Sequence, residues 1–245
     1  MPDWSQAGED LRRVVAESFE FRAQAPEAAA NGAWWDAEGT LLPIRRRLTA
    51  GAWREAAVLL VFHPGHERAS GDGLDRAVRP HVLLTERAAV LANHPGEVAF
   101  PGGSRDAADV DVVHTAVREA AEEVSLHAEA LRVLGPLPPA PLPISSFIVT
   151  PVLAVAENLG VLVPEAGEVE RVFSVEVEAL SDPRNRYSTV LRRGRQVFRG
   201  PAFVIDGTLV WGFTAVLLDR LLDRLGWARD WDPSREIDPR DYQLL

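Results

Sequence analysis

The sequence predicts an α/β fold in which a mixed sheet is flanked by helices. Three observations predict it: short apolar runs of strand length, a Glu-rich helix near the middle of the chain, and a leucine-striped helix near its end. Short apolar runs bounded by turn residues are typical of buried strands, whereas apolar residues three and four apart are typical of a helix that covers a sheet. The strands would therefore form the inner layer, and these two helices would cover it.

In the first half of the chain, the pattern predicts an amino-terminal helix, two strands and the Glu-rich helix. The first helix carries Val14, Val15, Phe19 and Phe21 partly on one side, and a Gly-rich loop at 63–75 separates the two strands. The predicted elements are a helix at 11–23, strands at 56–62 and 81–85, and the Glu-rich helix at 112–126.

In the second half, turn and cap residues delimit the elements. The proline-rich stretch 136–143 predicts an extended loop, and Asp206-Gly207 predicts a tight hairpin. Thr214 is a candidate cap for the last helix, and Gly226 is well placed to end it. Strands are predicted at 131–134, 147–155 and 171–177, and the last helix carries an apolar stripe of Leu217, Leu218, Leu221, Leu222 and Leu225.

Length and composition indicate one main domain with extensions. The chain has 245 residues, of which 47% are hydrophobic and 25% are charged, as in ordinary globular proteins. We predict a main domain at 51–230, preceded by a helical extension at 1–50 that packs on it and followed by a tail at 231–245.

The net charge and the absence of cysteine argue against several classes of function. A formal net charge of -10 argues against a broad electrostatic grip on nucleic acid. No cysteine occurs, which excludes a disulfide framework, a thiolate nucleophile and Cys-ligated zinc, and which fits a reducing cytoplasm. The amino terminus lacks the features of a signal peptide, and no segment has about 18 uninterrupted apolar residues. We expect a soluble, cytoplasmic protein with neither nucleic acid nor membrane as partner; its oligomeric state stays open, with a homodimer as one candidate.

The hexapeptide from Arg118 to Glu123 holds three glutamates on one helix. Residues three and four apart are neighbours on a helix surface, so Glu119 faces both Glu122 and Glu123 and their like charges repel. A divalent cation would reverse that repulsion, and oxygen ligands without sulfur suit Mg²⁺ or Mn²⁺. Arg118 can hold one carboxylate in place while the others bind metal. Thr115 would cap this helix or lie in its first turn.

Gly102 and Gly103 favour a metal site over the alternative, which is a solvated surface helix. Glu-rich helices that contain an arginine are common on protein surfaces, so the hexapeptide alone does not decide. Paired glycines after an apolar stretch, however, let a backbone carbonyl or amide come close to a metal or a phosphate.

These residues resemble the Nudix box, G-x5-E-x7-R-E-U-x-E-E-x-G-U. Counting forward from Gly103 puts Asp109 at the first acidic position, whereas counting back from Arg118 puts Val110 there, so the loop is one residue longer than usual. Ser125 stands where a glycine normally ends the helix. The resemblance implies an α/β/α sandwich that hydrolyses small-molecule diphosphates with Mg²⁺ or Mn²⁺.

A second motif resembles the coenzyme A pyrophosphatase branch of that family, whose signature is L-L-T-x-R-[SA]-x3-R-x3-G-x3-F-P-G-G. The matching residues are 83–85, Arg87, Ala88, Gly96 and 100–103, and the departure is Ala92, which replaces an arginine. The resemblance implies hydrolysis of coenzyme A, or its thioesters, to 3′,5′-adenosine bisphosphate and a 4′-phosphopantetheine product.

The resemblance also implies roles for the box residues. The expected catalytic residues are Arg118, Glu119, Glu122 and Glu123. Glu119 and Glu123 are the first-choice metal ligands, Glu122 would complete the coordination or orient a second metal, and the carbonyl of Gly103 is a further candidate ligand.

The general base and the substrate contacts are less closely specified. The base would be a box glutamate or one of three loop glutamates, although each of the three is individually more typical of a solvated loop. Arg87 would contact a phosphate or would be only a surface charge, and Gly102 and Gly103 would lie beside the substrate. His94 is interpreted as a turn-stabilising residue and Trp211 as a core residue. The three loop glutamates are Glu165, Glu168 and Glu170.

Three hypotheses follow. The first is a metal-dependent coenzyme A diphosphatase. The second keeps the chemistry but takes a nucleotide sugar, a dinucleotide or ADP-ribose as substrate. The third is a non-catalytic ligand sensor, against which the intact box glutamates argue and for which Ser125 and Ala92 leave room.

Overall fold

The computed structural model describes residues 1–35, 53–65, 78–91, 93–142, 145–193 and 196–242. The helices are α1 Trp4–Gln24, α2 Pro26–Ala30, α3 Val112–Val124, α4 Val177–Ser181, α5 Gly212–Leu225 and α6 Pro239–Tyr242. The strands are β1 Arg54–His63, β2 His81–Arg87, β3 Val98–Ala99, β4 Gly102–Ser104, β5 Arg132–Pro136, β6 Ala140–Leu142, β7 Phe147–Val155, β8 Val169–Glu176, β9 Arg186–Arg193, β10 Gln196–Ile205, β11 Thr208–Val210 and β12 Glu236–Ile237. Each helix and strand that the sequence predicts is present, and most ends shift by no more than two residues, whereas α1 begins at Trp4 instead of residue 11.

The main sheet is mixed, as predicted. Its strands follow the order β3-β2-β1-β7-β5, while β4 also pairs with β1, β6 with β7 and β8 with β2. β1 runs parallel to β7 and antiparallel to β2. β1 therefore lies in the middle of the sheet, which explains why its sequence is apolar from 56 to 62.

Side chains of β1 alternate between two core layers. Ala57, Leu59 and Val61 point to the layer that α3 covers. Leu60 and Phe62 point to the layer that α1 and α5 cover. Because successive side chains of a strand point to opposite faces, one apolar strand can supply both layers. Helices on both faces of the sheet confirm the predicted α/β/α sandwich.

Helix α5 closes the second face, as expected. All five leucines of its stripe are buried, and Gly226 ends the helix in the left-handed region at φ 74°. Thr214 is not its cap, so that prediction was wrong: the helix begins at Gly212, after the N-cap Trp211. The buried Thr214 hydroxyl instead donates to the Val98 carbonyl at 2.9 Å, which ties α5 to β3.

A second sheet has the order β11-β10-β9-β12. Ile205 pairs with Thr208 across a two-residue turn, in which Asp206 has φ 49° and Gly207 has φ 77°. Positive φ at both central positions is the geometry that Asp-Gly turns favour, and it confirms the predicted hairpin.

The prediction of an extended loop over 136–143 was wrong in part. β5 runs to Pro136, and β6 pairs with β7, with Pro141 opposite Ile148. Proline is tolerated in a strand where its missing amide faces no partner, as at a sheet edge. The predicted Gly-rich loop at 63–75 falls largely on 66–77, outside the described residues.

Helix α1 packs into the same core layer as α5. Leu11 and Val14 are fully buried, and Arg13 Nη2 donates to the Leu225 carbonyl at 3.3 Å. Trp227 Nε1 donates to Asp10 at 2.9 Å, so both helices are joined at the end of α5. The predicted domain limits stay a prediction, because residues 36–50 lie outside the described part of the chain. No helix among the described residues is long and apolar enough to cross a membrane.

Candidate active site

Helix α3 carries the acidic hexapeptide and is closed at both ends by local contacts. The Asp111 carboxylate accepts a hydrogen bond from the His114 amide at 2.8 Å and thereby caps the first turn. Thr115 lies within that turn, the second of its two predicted positions. Ser125 ends the helix at φ 56° and ψ 30°, the left-handed conformation that glycine adopts more easily.

Asp109 is the acidic partner of Arg118. Arg118 Nε lies 3.0 Å from Asp109 Oδ1, and Nη2 lies 3.0 Å from Oδ2. The Asp109 side chain is fully buried and also accepts hydrogen bonds from the Asp106 amide and the Thr115 hydroxyl. The guanidinium of Arg118 holds the pKa of this carboxyl well below its usual range. Asp109 therefore occupies the first acidic position of the box, whereas the alternative residue, Val110, is exposed.

Arg118 also donates hydrogen bonds to two further carboxylates. Its Nη2 donates to Glu119 at 2.9 Å, its Nη1 donates to Glu122 at 2.8 Å, and Nη2 also donates to the Ser104 carbonyl at 3.2 Å. One planar group thus links the loop, β4 and the exposed edge of α3, a geometry that a lysine could not reproduce.

Glu123 points into the protein beside the glycine pair. Only 8% of Glu123 is exposed, and its Oε2 accepts the Gly102 amide at 3.0 Å. The pKa of Glu123 is raised to about 7, mainly by burial and also by the charges of Glu119 and Glu168, while the Gly102 amide and Arg87 act in the opposite direction. Gly102 is required here, because an added Cβ would lie 2.3 Å from the Ala57 carbonyl oxygen.

Glu119 is a half-buried carboxylate, whose side chain is 17% exposed. Burial raises its pKa, against the opposing effect of Arg118. Gly103 lies directly against it: an added Cβ would lie 2.5 Å from Glu119 Oε2. Two incompletely neutralised carboxylates beside a bare backbone are a donor set that fits a hard divalent cation.

Glu122 is placed differently from the other two glutamates. Its side chain is 60% exposed and binds Arg118. Within the described ranges, no three His, Asp or Glu side chains converge on one point where they could hold a metal ion. The joint metal role predicted for Glu119, Glu122 and Glu123 therefore stays a prediction, in which Glu123 is buried and Glu119 is half-buried.

Arg87 lies at the end of β2, where the register with β8 shifts. Its amide donates to the Glu97 carbonyl at 3.0 Å, and its carbonyl accepts the Gly96 amide at 3.0 Å. Its Nε is buried without a hydrogen-bond partner, and no other residue in the described part of the chain forms an ion pair with it. Because its charge also acts on Glu123, Arg87 is a cation near the carboxylates that is not already neutralised.

Two further residues from the sequence lie near these loops. His94 occupies the turn before β3, with φ 55° and Nδ1 2.9 Å from Glu97 Oε2, in keeping with its predicted role in the turn. Trp211, which was interpreted as a core residue, is half-buried and is the N-cap of α5. Ala92, the departure in the branch signature, lies outside the described residues.

Three contacts of the site were missed at the sequence level. They are the Gly102 amide on Glu123, the Ser104 carbonyl on Arg118 and the Thr115 hydroxyl on Asp109. The first two are backbone groups of β4, and no side-chain pattern reports them. Thr115 stands six residues after Asp109, so a signal for its contact existed only once the turn of the loop was known.

Comparisons with known proteins indicate the same family as the two sequence motifs. The sequence model of the NUDIX domain matches residues 72–193. A Photorhabdus laumondii protein named "Uncharacterized Nudix hydrolase NudL" is 39% identical over 149 residues, which cover 60% of this chain and 78% of that protein. A protein of the same name from Pectobacterium atrosepticum is 35% identical over 170 residues, covering 69% and 81%.

Among solved structures, the Nudix hydrolase RenU from M. smegmatis aligns with 75% of this chain and 92% of its own. The TM-score is 0.48 at 21% sequence identity. The similarity in sequence to the two curated relatives is the stronger of these findings.

Proposed function

The chain belongs to the Nudix hydrolase family, and we propose that it hydrolyses the diphosphate linkage of coenzyme A or of its thioesters. The products would be 3′,5′-adenosine bisphosphate and 4′-phosphopantetheine or its acyl derivative. Members of the family are pyrophosphohydrolases that act on small diphosphate compounds and generally use divalent metal ions.

The main observation that supports the proposal is that hydrogen bonds join the residues of the branch signature to those of the box. Thr85 of the signature donates to the Ala99 carbonyl at 3.2 Å, which joins β2 to β3. The signature ends at the glycine pair, where the Gly102 amide donates to Glu123 of the box. Both motifs therefore belong to one hydrogen-bonded unit, which supports their use on a single substrate.

Glu119 and Glu123 would hold Mg²⁺ or Mn²⁺, with the Gly103 carbonyl as a further ligand. Glu122 would complete the coordination or orient a second ion, for which it would have to leave Arg118. A bound divalent ion would offset the negative charge of the diphosphate and lower the pKa of a water molecule. The burial of Glu123 and the partial burial of Glu119 support these roles, because a cation would offset the electrostatic cost of removing both charges from water.

The two arginines would have separate roles. Arg118 would position Glu119 through the hydrogen bond that joins them. Arg87 would bind a phosphate of the substrate, which its lack of an ion-pair partner among the described residues supports. Gly102 and Gly103, which lack side chains, would leave room for the diphosphate to approach the backbone.

The test is a substrate panel with Mg²⁺ or Mn²⁺, read by mass spectrometry of the products. We expect coenzyme A or an acyl derivative to give the highest kcat/KM and to yield the two products named above. In isotopically labelled water, the label would show which phosphorus was attacked.

The panel also separates the alternatives. A preference of about tenfold or more for ADP-ribose or a dinucleotide over coenzyme A, roughly 1.4 kcal/mol, would support the second hypothesis. Binding without turnover of any diphosphate would support the ligand sensor, against which the intact carboxylates argue.

A further inference from the structure

Two threonine hydroxyls bind the backbone of β3, the strand that leads into the glycine pair. Thr214 of α5 donates to the Val98 carbonyl at 2.9 Å. Thr85 of β2 donates to the Ala99 carbonyl at 3.2 Å. Val98 and Ala99 make up the whole of β3, and both threonines are buried. The position of this short strand therefore depends on side chains from two other elements.

The residues between β3 and the acidic site are anchored as well. Phe100 is buried in the core layer that α1 and α5 cover. The Pro101 carbonyl accepts the Leu59 amide of β1 at 2.8 Å. The next amide, that of Gly102, donates to Glu123 at 3.0 Å. Because a packed interior transmits small displacements, a shift of β3 would also move the donor of this hydrogen bond.

The hydrogen bond from Gly102 fixes the direction of the Glu123 carboxylate. A hydrogen bond weakens steeply when its donor angle closes, so a small rotation of the Gly102 amide would release the carboxylate. Groups that bind a metal ligand from behind usually orient that ligand. The Gly102 amide would have this relation to a metal ion held by Glu123.

Thr214 lies outside both sequence motifs. It stands on α5, which covers the face of the sheet opposite to α3 and its glutamates. The same hydroxyl that fails to cap α5 is therefore the link between that helix and the strand beside the site.

We propose that Thr214 is a positioning residue for the active site, an assignment that rests on the metal site of the proposed function. Together with Thr85, it holds β3 where the Gly102 amide can bind Glu123. Loss of the Thr214 hydroxyl would remove a donor from the buried Val98 carbonyl, which costs free energy unless the strand moves to find another.

The matched control for this role is Thr189. It is also buried, and its hydroxyl donates to a backbone carbonyl, that of Gly200, at 3.0 Å in the second sheet. Thr189→Val and Thr214→Val therefore lose the same kind of hydrogen bond, but only Thr214→Val loses one next to the glycine pair.

The first measurement is hydrogen exchange of the Gly102 amide in the metal-free protein, followed by NMR. We expect exchange to be at least about tenfold faster in Thr214→Val than in Thr189→Val, because only the first change loosens β3. Equal rates in the two variants would overturn the assignment.

The second measurement is calorimetric titration of Mn²⁺, paired with steady-state kinetics. Loss of a group that orients a metal ligand usually costs about 10–100-fold, so we expect Thr214→Val to lower Mn²⁺ affinity and kcat at least about tenfold. KM should change less than about threefold, and Thr189→Val should resemble the wild type. Thr214→Ser keeps the hydroxyl and should recover most of the loss. A loss of equal size in Thr189→Val would show that reduced stability is the cause.

Two further variants secure the test. Thr214→Ala also removes the hydroxyl but is smaller, so it replaces Thr214→Val if that variant does not give a cooperative thermal melt. Thr85→Val should show the same pattern as Thr214→Val. In the double variant, the loss of kcat should differ from the product of the two single losses, because both residues act on β3. A loss equal to that product would contradict a shared action.

The two proposals fail in different ways. If coenzyme A is cleaved and Thr214→Val keeps its kcat and its Mn²⁺ affinity, the positioning role is wrong and the proposed function stands. If no coenzyme A is cleaved but the Gly102 amide and Mn²⁺ binding respond as expected, the proposed substrate is wrong and the role of Thr214 at the metal site stands.

Discussion

Arg118 and Asp109 form a two-point ion pair, with Nε 3.0 Å from Oδ1 and Nη2 3.0 Å from Oδ2. This pair explains how two departures from the common box compensate for each other. The acidic residue is one methylene shorter than glutamate, and the loop is one residue longer. The loop turns back on itself, with the Asp109 amide donating to the Asp106 carbonyl at 3.0 Å, and brings the short carboxylate to the guanidinium.

Replacing Asp109 with the glutamate of the common box should therefore lower both the stability and the activity of the protein. In Asp109→Glu, the extra methylene must enter a fully buried position whose carboxylate already has its hydrogen bonds made. We expect Tm to fall by roughly 2–10 °C and kcat/KM to fall with it, because Arg118 would no longer hold Glu119 in place. Differential scanning calorimetry and steady-state kinetics measure both changes. Asp106→Glu, whose side chain is 70% exposed, is the control and should resemble the wild type. Higher activity in Asp109→Glu would contradict the compensation.

Removal of the Glu123 charge should stop turnover without unfolding the protein. Glu123→Gln keeps an acceptor for the Gly102 amide but removes the negative charge proposed to bind metal. We expect kcat to fall at least about a hundredfold, roughly 2.7 kcal/mol of barrier, with an unchanged circular dichroism spectrum. Glu129→Gln, an exposed change just beyond α3, is the matched control. Turnover at the wild-type rate in Glu123→Gln would remove this carboxylate from the mechanism.

The pKa of Glu123 predicts how the stability of the metal-free protein depends on pH. Its folded-state pKa of about 7 lies above the ordinary value of 4.5, so the folded state binds the proton more tightly than the unfolded state. The contribution of this group is fully present below about pH 4.5 and is lost as the pH rises through about 7. Relative to Glu123→Gln, the wild type should lose stability between pH 5 and pH 8 in urea titrations.

Metal should reverse that loss, because it replaces the proton as the partner of the carboxylates. We expect Mn²⁺ to raise Tm more at pH 8 than at pH 5, where protonation competes with metal binding. Equal shifts at the two values, or equal shifts in wild type and Glu123→Gln, would contradict a metal site at Glu123.

Ser125→Gly should stabilise the protein. Ser125 ends α3 in the left-handed region, where glycine carries no Cβ penalty, and its hydroxyl makes only a long, 3.4 Å contact with the Val163 carbonyl. We expect the free energy of unfolding to rise by about 0.5–1 kcal/mol, as measured by urea denaturation. Ser125→Ala removes the same hydroxyl but keeps the Cβ, so it should bring no gain. A gain of equal size in Ser125→Ala would show that the backbone conformation is not the cause.

Patterns within a few residues determined most of the secondary structure. Helix α3, the leucine stripe of α5, its end at Gly226 and the Asp206-Gly207 hairpin all follow from side-chain period and left-handed turn residues, which are local properties of the chain. The neighbouring positions of Glu119 and Glu123 on α3 belong to the same class, because the helix itself sets the spacing of residues four apart. The two motifs allowed the sequence to predict the family.

Contacts between distant segments decided the rest. Thr214 does not cap α5, because its hydroxyl donates a hydrogen bond to the Val98 carbonyl of β3. The proline-rich stretch forms an edge strand, because it pairs with β7. In both cases the local pattern gave no information about the partner. The choice of Asp109 over Val110 depends on how the loop turns, and the burial of Glu123 depends on Gly102 lying against β1. The spacing of side chains along the sequence does not predict these contacts, because they form only when the sheet and the helices pack together.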